Sequence, residues 1–243
     1  MKLTVIGMWG GFPKGNGACS GYLLEHDGFR LLLDCGSGVA MNLQKYHELY
    51  EVDHVILSHY HYDHVSDLGA LMFGRLVQTQ LGKTKEPLSI YGPMDKTKEN
   101  EIAAVPNNVF HPIDASSRLE IGPFEITFIK NIHPVETYGM KIVCDGKSIV
   151  YTADTSYLKS YIDFAKHTDL LIAESSFYEG MDGKVAGHMN AKEAGILAEK
   201  TEAKQTLLTH LPHFGVLEEL LKSAKYQGNQ AINLASPGFV VEF

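Results

Sequence analysis

Six consecutive residues of this 243-residue chain, His59-Tyr-His61-Tyr-Asp63-His64, gather three imidazoles and a carboxylate just after the apolar run Val55-Ile56-Leu57-Ser58. Imidazole nitrogen and carboxylate oxygen are donors for zinc, manganese or iron, so the cluster specifies a divalent-metal site more firmly than it specifies the metal. If the run stays extended, residues i and i+2 project to one face, and His59 can share an ion with His61. Asp63 and His64, beyond the strand end, can turn toward a second ion. A lone histidine is usually a polar surface or core residue. Four ligand-type side chains at this spacing rarely have so bland a role.

Such side chains act only when the fold holds them, so the elements come next. Short apolar runs bounded by glycines, at residues 3–6, 20–25 and 30–33, read as strands, and buried-strand runs recur at 52–57, 170–173, 205–208 and 239–241. Asp27-Gly28 and Asp145-Gly146 mark tight hairpins, the second joining residues 139–144 to 148–151. Helical patterns follow near 39–50, 67–81, 157–166, 191–200 and 215–225. Hairpins mixed with strand–helix alternation predict an α/β chain with two sheets covered by helices on their outer faces. The length suits one large domain over residues 1–243. Further ligand types fall at strand ends: His133 after the run 126–130, Asp154 after 149–152 and His210 after 207–209. Loops at one rim of such sheets are where functional residues gather.

Composition narrows the field. A net charge of −8 with three arginines (Arg30, Arg75, Arg118) argues against an extensive nucleic-acid surface. Lys83, Lys85, Lys96 and Lys98 flank residues 87–93 and read as a solvated charged loop, with a local polyanion contact as the sharper alternative. Cys19, Cys35 and Cys144 are scattered and form no CxxC pair, which speaks against a disulfide framework and a cysteine metal site. No apolar stretch reaches membrane length and the start lacks the apolar block of a signal peptide, so a cytoplasmic location and no membrane partner are expected.

Taken together, the HxHxDH run, His133, Asp154, His210 and the early Leu33-Asp34-Cys35-Gly36 resemble the metallo-β-lactamase superfamily over nearly the whole chain. The resemblance implies a four-layer αββα sandwich with a two-metal site at one edge. One ion would be held by His59, His61 and His133, the other by Asp63, His64 and His210, with Asp154 bridging them. Asp34 in that pattern hydrogen-bonds the ligand loop. Asp169-Leu-Leu-Ile-Ala-Glu174-Ser-Ser-Phe is similar to a segment of the tRNA 3′-processing endonucleases, the RNase Z family, that carries a glutamate of the active site. Gly187-His188-Met-Asn190-Ala191 resembles their loop with an extra histidine, and Ser89-Ile90-Tyr91-Gly92-Pro93 is a weaker match. Two departures stand out. His133 and Asp154 are separated by 21 positions filled by a hairpin pattern, where those enzymes insert a tRNA-gripping arm, and Met189-Asn190 replaces their Ser-Thr.

What the resemblance implies is a hydrolase with two divalent ions, zinc first and manganese or iron as alternatives, that cleaves a P–O bond. The substrate would be a small phosphodiester or an RNA 3′ end. Hydroxide generated at the metals would be oriented by Asp63, and His188, held by Glu174, would protonate or stabilise the leaving alkoxide. Resembling enzymes are often dimers, so a homodimer is expected. A lactone, ester or thioester hydrolase on the same metals is the competing activity, and a metal-binding domain without turnover is a third. Asn190 and Glu193 also spell a helix-capping box, a purely structural purpose beside His188. His26, His47, His54, His111, His167 and His213 read as structural or surface residues, with His213 near a ligand. The loop through Trp9, Gly10-Gly11 and Phe12 borders the site in the resembling family, or is a flexible turn.

Overall fold

In the computed structural model, which describes residues 1–228 and 231–243, the chain forms two compact units. Met1–Asp114 and Pro237–Glu242 make the first, and Ala115–Ser236 and Phe243 the second.

The first unit carries β1 (Lys2–Trp9), β2 (Ala18–Cys19), β3 (Gly21–His26), β4 (Phe29–Leu33), β5 (His54–Ile56), β6 (Leu88–Pro93) and β7 (Asn108–Ile113). The sheet runs from the C-terminal strand Val240–Glu242 through β1, β3, β4, β5 and β6 to β7, with β2 against β1. In its antiparallel half a local turn joins β3 to β4, while the C-terminal strand pairs with β1 from the far end of the chain. Asp27 and Gly28 take φ of 47° and 83°, the left-handed pair that matches the twist of a two-residue hairpin. From β4 to β7 the pairing is parallel, and the connections pass through helices. These are α1 (Val39–Leu43), α2 (Tyr62–Val65), α3 (Leu68–Gln80) and α4 (Lys96–Ala103). Leu68, Leu71 and Met72 of α3 pack with Leu32, Val55 and Ile90 in one buried cluster that backs the strand ends.

Several local expectations need correcting here. The pattern at 39–50 is not one helix: α1 stops at Leu43, and a 3-10 turn forms at Leu49–Glu51 behind a Glu48–Glu51 capping box. His47, in the gap, is tied to Glu25 Oε1 at 2.7 Å. Lys96 and Lys98 are not in a loop. Asp95 accepts from the amides of Thr97 and Lys98 and starts α4, where the lysines pair with Glu99 and Glu101 at 2.9 and 2.7 Å. Each lysine already has an acidic neighbour one turn away.

The second unit carries β8 (Arg118–Ile121), β9 (Phe124–Lys130), β10 (Tyr138–Cys144), β11 (Lys147–Tyr151), β12 (Leu170–Glu174), β13 (Gln205–Thr209) and β14 (Ile232–Leu234). Its order is β14-β13-β12-β11-β10-β9-β8. It too is an antiparallel meander, β8 to β11, followed by parallel pairing from β11 to β14. β12 is buried along its whole length, which is why it reads as the unbroken run Leu-Leu-Ile-Ala. Asp145 and Gly146, at φ 50° and 72°, close the β10–β11 hairpin, and this hairpin fills the interval between His133 and Asp154. The helices are α5 (Tyr161–Phe164), α6 (Ala191–Thr201) and α7 (Leu217–Lys225). α5 is shorter than the pattern at 157–166. Its buried Tyr161 instead sends its hydroxyl to Asn131 Oδ1 at 2.7 Å and the Thr152 carbonyl at 3.0 Å. Among the described residues, no helix is long and apolar enough to cross a membrane.

Candidate metal centre

In the first unit the ligand run begins where a ladder ends. The Leu57 amide makes the last bond to β6, donating to the Tyr91 carbonyl at 2.8 Å, and the Ser58 amide turns away to Asp34 Oδ1 at 2.7 Å. His59 and His61 therefore lie on a loop beyond β5, not on an extended strand, and His61 caps the start of α2. The expected neighbourhood forms all the same. The His59 ring centroid is 4.8 Å from that of His61 and 4.1 Å from that of His64. Asp63 and His64 sit on the α2 turn, both buried.

Asp34 organises this loop. It is fully buried, in the left-handed region at φ 56°, one residue past β4. Besides the Ser58 amide, its carboxylate accepts from Ser58 Oγ at 2.9 Å and from His64 Nδ1 at 2.8 Å. With its hydrogen committed to Asp34, Ser58 Oγ accepts from His59 Nδ1 at 3.0 Å. Both imidazoles thus carry their proton on Nδ1 and present an Nε2 lone pair, the form a metal ligand needs. Asp63 is held from the other side, its Oδ2 accepting from the Gly11 amide at 2.7 Å. That contact gives the early glycine loop a definite task. Gly36 is needed too, since a Cβ there would stand 2.0 Å from the Asp63 carbonyl oxygen.

The second unit assembles its donors from four separate segments. His133, after β9, points Nδ1 at the Gly187 carbonyl, 3.0 Å away. A carbonyl only accepts, so the proton is on Nδ1 and Nε2 keeps its lone pair. Gly187 has φ 77°, and a Cβ on it would stand 2.7 Å from His133 Nδ1, so both conformation and space demand glycine. Asp154 follows β11 through Ala153, and His210 follows β13; Ala153 and His210 both take positive φ, 49° and 53°. Asp154 Oδ2 lies 3.3 Å from His210 Nε2 and 3.9 Å from His133 Nε2.

Glu174, fully buried at the end of β12, accepts four hydrogen bonds. Oε1 takes the Thr155 amide at 3.1 Å and His188 Nδ1 at 2.9 Å; Oε2 takes the Ser176 amide at 3.1 Å and Ser176 Oγ at 2.9 Å. The His188 ring stacks on His210 at 5.2 Å and 20° and meets His133 edge-on at 5.1 Å. Directly behind it, the Asn190–Glu193 capping box starts α6, so the structural purpose of this segment is present as well.

The donor chemistry fits divalent ions. In the second unit His133 Nε2 and His210 Nε2 both approach one carboxylate oxygen, Asp154 Oδ2, and in the first His64 Nε2 stands 3.7 Å from Asp63 Oδ2. Acceptors facing acceptors repel unless a cation or proton lies between them, and nitrogen–oxygen sets of this kind suit zinc, manganese or iron. Two of the thiols do not compete: burial, with Asp63 adding to it, pushes Cys19 up to about 12, and Cys35 is raised well above the usual range by burial. Ser58 and Ser176 are the residues in contact with the candidate ligands that residue type did not single out, whereas Gly11 and Gly187 belong to segments the sequence points to. Ser58 could have been suspected from its place before His59; nothing in the Glu-Ser-Ser-Phe run distinguishes Ser176. Of the remaining histidines, His54 and His111 stack on Tyr91 at 6.2 and 4.7 Å, as structural side chains do.

The chain is similar to known proteins in sequence and fold. A family model described as a β-lactamase superfamily domain matches residues 29–211. A Bacillus subtilis (strain 168) protein, probable metallo-hydrolase YhfI, is 46% identical over 243 residues and 100% of both chains. The crystal structure of the metallo-β-lactamase fold protein YhfI matches with a TM-score of 0.96 at 45% identity, over 99% of this chain and 98% of that one. A ribonuclease Z of Metallosphaera sedula is 26% identical over 93% of each chain. The short form of human tRNase Z, at 21% identity, a TM-score of 0.77 and coverage of 100% and 99%, shares the fold. The chain belongs to the metallo-β-lactamase superfamily.

Proposed function

We propose that the protein is a metal-dependent phosphodiesterase that uses water to break a P–O bond. His59, His61 and His133 would hold one divalent ion, Asp63, His64 and His210 a second, and Asp154 would bridge them, with zinc the first choice of metal. Bound there, the ions would supply water ionised near neutral pH and neutralise the phosphate oxygens that repel a nucleophile. The chain's own residues do the rest. The Gly11 amide holds Asp63 in a fixed orientation, so its carboxylate can align the attacking water. Glu174 holds the His188 ring by Nδ1, which would leave Nε2 to act as the proton donor. An alkoxide leaves phosphorus poorly without a proton, and His188 would supply one.

The observation that carries this reading is the 2.9 Å contact between His188 Nδ1 and the buried Glu174, with the His188 ring stacked on His210. The relative YhfI, named a probable metallo-hydrolase, supports the hydrolytic class. The β10–β11 hairpin fills the interval where RNase Z enzymes insert their tRNA arm, which favours a small phosphodiester or a short RNA end over whole tRNA. Purified protein loaded with zinc or manganese should cleave a chromogenic phosphodiester with a kcat/KM about a hundredfold above that for a lactone, ester or thioester. The opposite preference would assign it to the carbonyl hydrolases of the superfamily. A panel of precursor tRNA, short unstructured RNA and cyclic nucleotides then identifies the phosphodiester.

A further inference from the structure

Ser176 lies at the junction of the polar network in the second unit. Its hydroxyl is 2.9 Å from Glu174 Oε2, 2.8 Å from His210 Nδ1, 3.3 Å from His188 Nδ1 and 3.5 Å from the His210 carbonyl. A serine hydroxyl has one hydrogen and two lone pairs. The other three donors to Glu174 are two backbone amides and His188, and the hydroxyl completes the four acceptor positions of the carboxylate. Its hydrogen therefore goes to Glu174, and its lone pair receives the hydrogen of His210 Nδ1. With its hydrogen on Nδ1, His210 can offer the Nε2 lone pair to a metal, and Nε2 is the atom 3.3 Å from Asp154 Oδ2.

We infer that Ser176 is a positioning residue for the proposed metal ligand His210, fixing its ring angle and tautomer by coupling it to Glu174. The inference rests on the two-ion reading above and adds to it. One buried carboxylate orients both the proton donor, directly, and a metal ligand, through a hydroxyl. The first unit contains the same device, with Asp34 reaching His64 directly and His59 through Ser58. Two independent occurrences of carboxylate, serine and paired imidazoles favour a working arrangement over an incidental contact.

The test compares Ser176→Thr, which keeps the hydroxyl, with Ser176→Val, which matches the threonine in shape and lacks it. Zinc-loaded full-length protein is titrated with a competing chelator and the affinity of each ion is read. Ser176→Val should loosen one ion by about 10- to 100-fold and leave the other unchanged, while Ser176→Thr should hold both nearly as the natural protein does. If the added methyl groups prevent folding, Ser176→Ala, which only removes the oxygen, should show the valine pattern. Equal affinities in the natural protein and in Ser176→Val or Ser176→Ala would overturn the inference, as would a threonine variant as weak as the valine one. Natural protein that fails to hold two zinc ions would instead overturn the two-ion reading itself, and the two failures are told apart by that control.

Discussion

Asp34 sits one residue past β4, and the histidine that its serine orients, His59, lies beyond the neighbouring parallel strand β5. Glu174 ends β12, and the corresponding histidine, His210, follows the neighbouring parallel strand β13, with Glu174 in register with Thr209. The carboxylate in each unit accepts a serine amide, the same serine's hydroxyl and one histidine directly. The sequence spacing is what differs. In the first unit the serine precedes its histidine by one position, and the candidate ligands share one six-residue run. In the second the serine is two residues from the carboxylate, and His133, Asp154, His188 and His210 come from four segments. Equivalent hydrogen-bond chemistry can therefore be built from local or from long-range sequence. The paired parallel strand ends are what the two have in common.

The largest way to break this comparison is to remove Asp154, the one proposed ligand of both ions. Asp154→Ala should lose most bound metal and lower turnover by roughly a thousandfold or more, measured by elemental analysis and steady-state kinetics. Retention of both ions would detach the second unit's carboxylate from metal binding. Next in size is His188→Ala, expected to cost about 10²- to 10⁴-fold in kcat with both ions kept. Near-normal turnover would remove His188 from the chemistry.

Sharper still is the contrast between the two buried carboxylates. Asp34→Asn should loosen both ions by about 10- to 100-fold, because Asp34 supports His64 and, through Ser58, His59. Glu174→Gln should loosen only the ion of His210 by a similar factor, and lose turnover beyond that because His188 is released. Identical effects of the two variants on both ions would erase the distinction. The smallest effects lie at the glycines. Gly187→Ala combines φ 77° with a Cβ 2.7 Å from His133 Nδ1, so a loss of about 1–3 kcal/mol is expected in denaturant unfolding. Gly11→Ala meets only its φ of 72° in open space and should cost about 1 kcal/mol. A Gly187→Ala protein as stable as Gly11→Ala would show that the close approach to His133 is not real.

The same contrast explains what could be read from the chain. The HxHxDH run, the two Asp-Gly hairpins and the buried β12 announce themselves because their physics is local: ligand density, left-handed turn residues and an unbroken apolar run. His133, Asp154 and His210 mean little singly, and their grouping became legible only through the resemblance. Ser176 was illegible in both ways, since a serine gains its role from a hydroxyl hydrogen whose acceptor and donor partners are set by tertiary placement. Local competition misled as well. The charged pattern at Lys96 and Lys98 hid a helix that Asp95 caps, and the extended reading of His59 to His61 failed because Asp34 draws the Ser58 amide out of the ladder.

Elemental analysis of exhaustively dialysed, zinc-loaded protein, run beside Asp154→Ala, tests the central claim most directly. Two ions per chain in the natural protein, with most of that metal gone from the variant, is the expected result. A natural protein with no bound ion, or a variant that holds as much as the natural one, would contradict it.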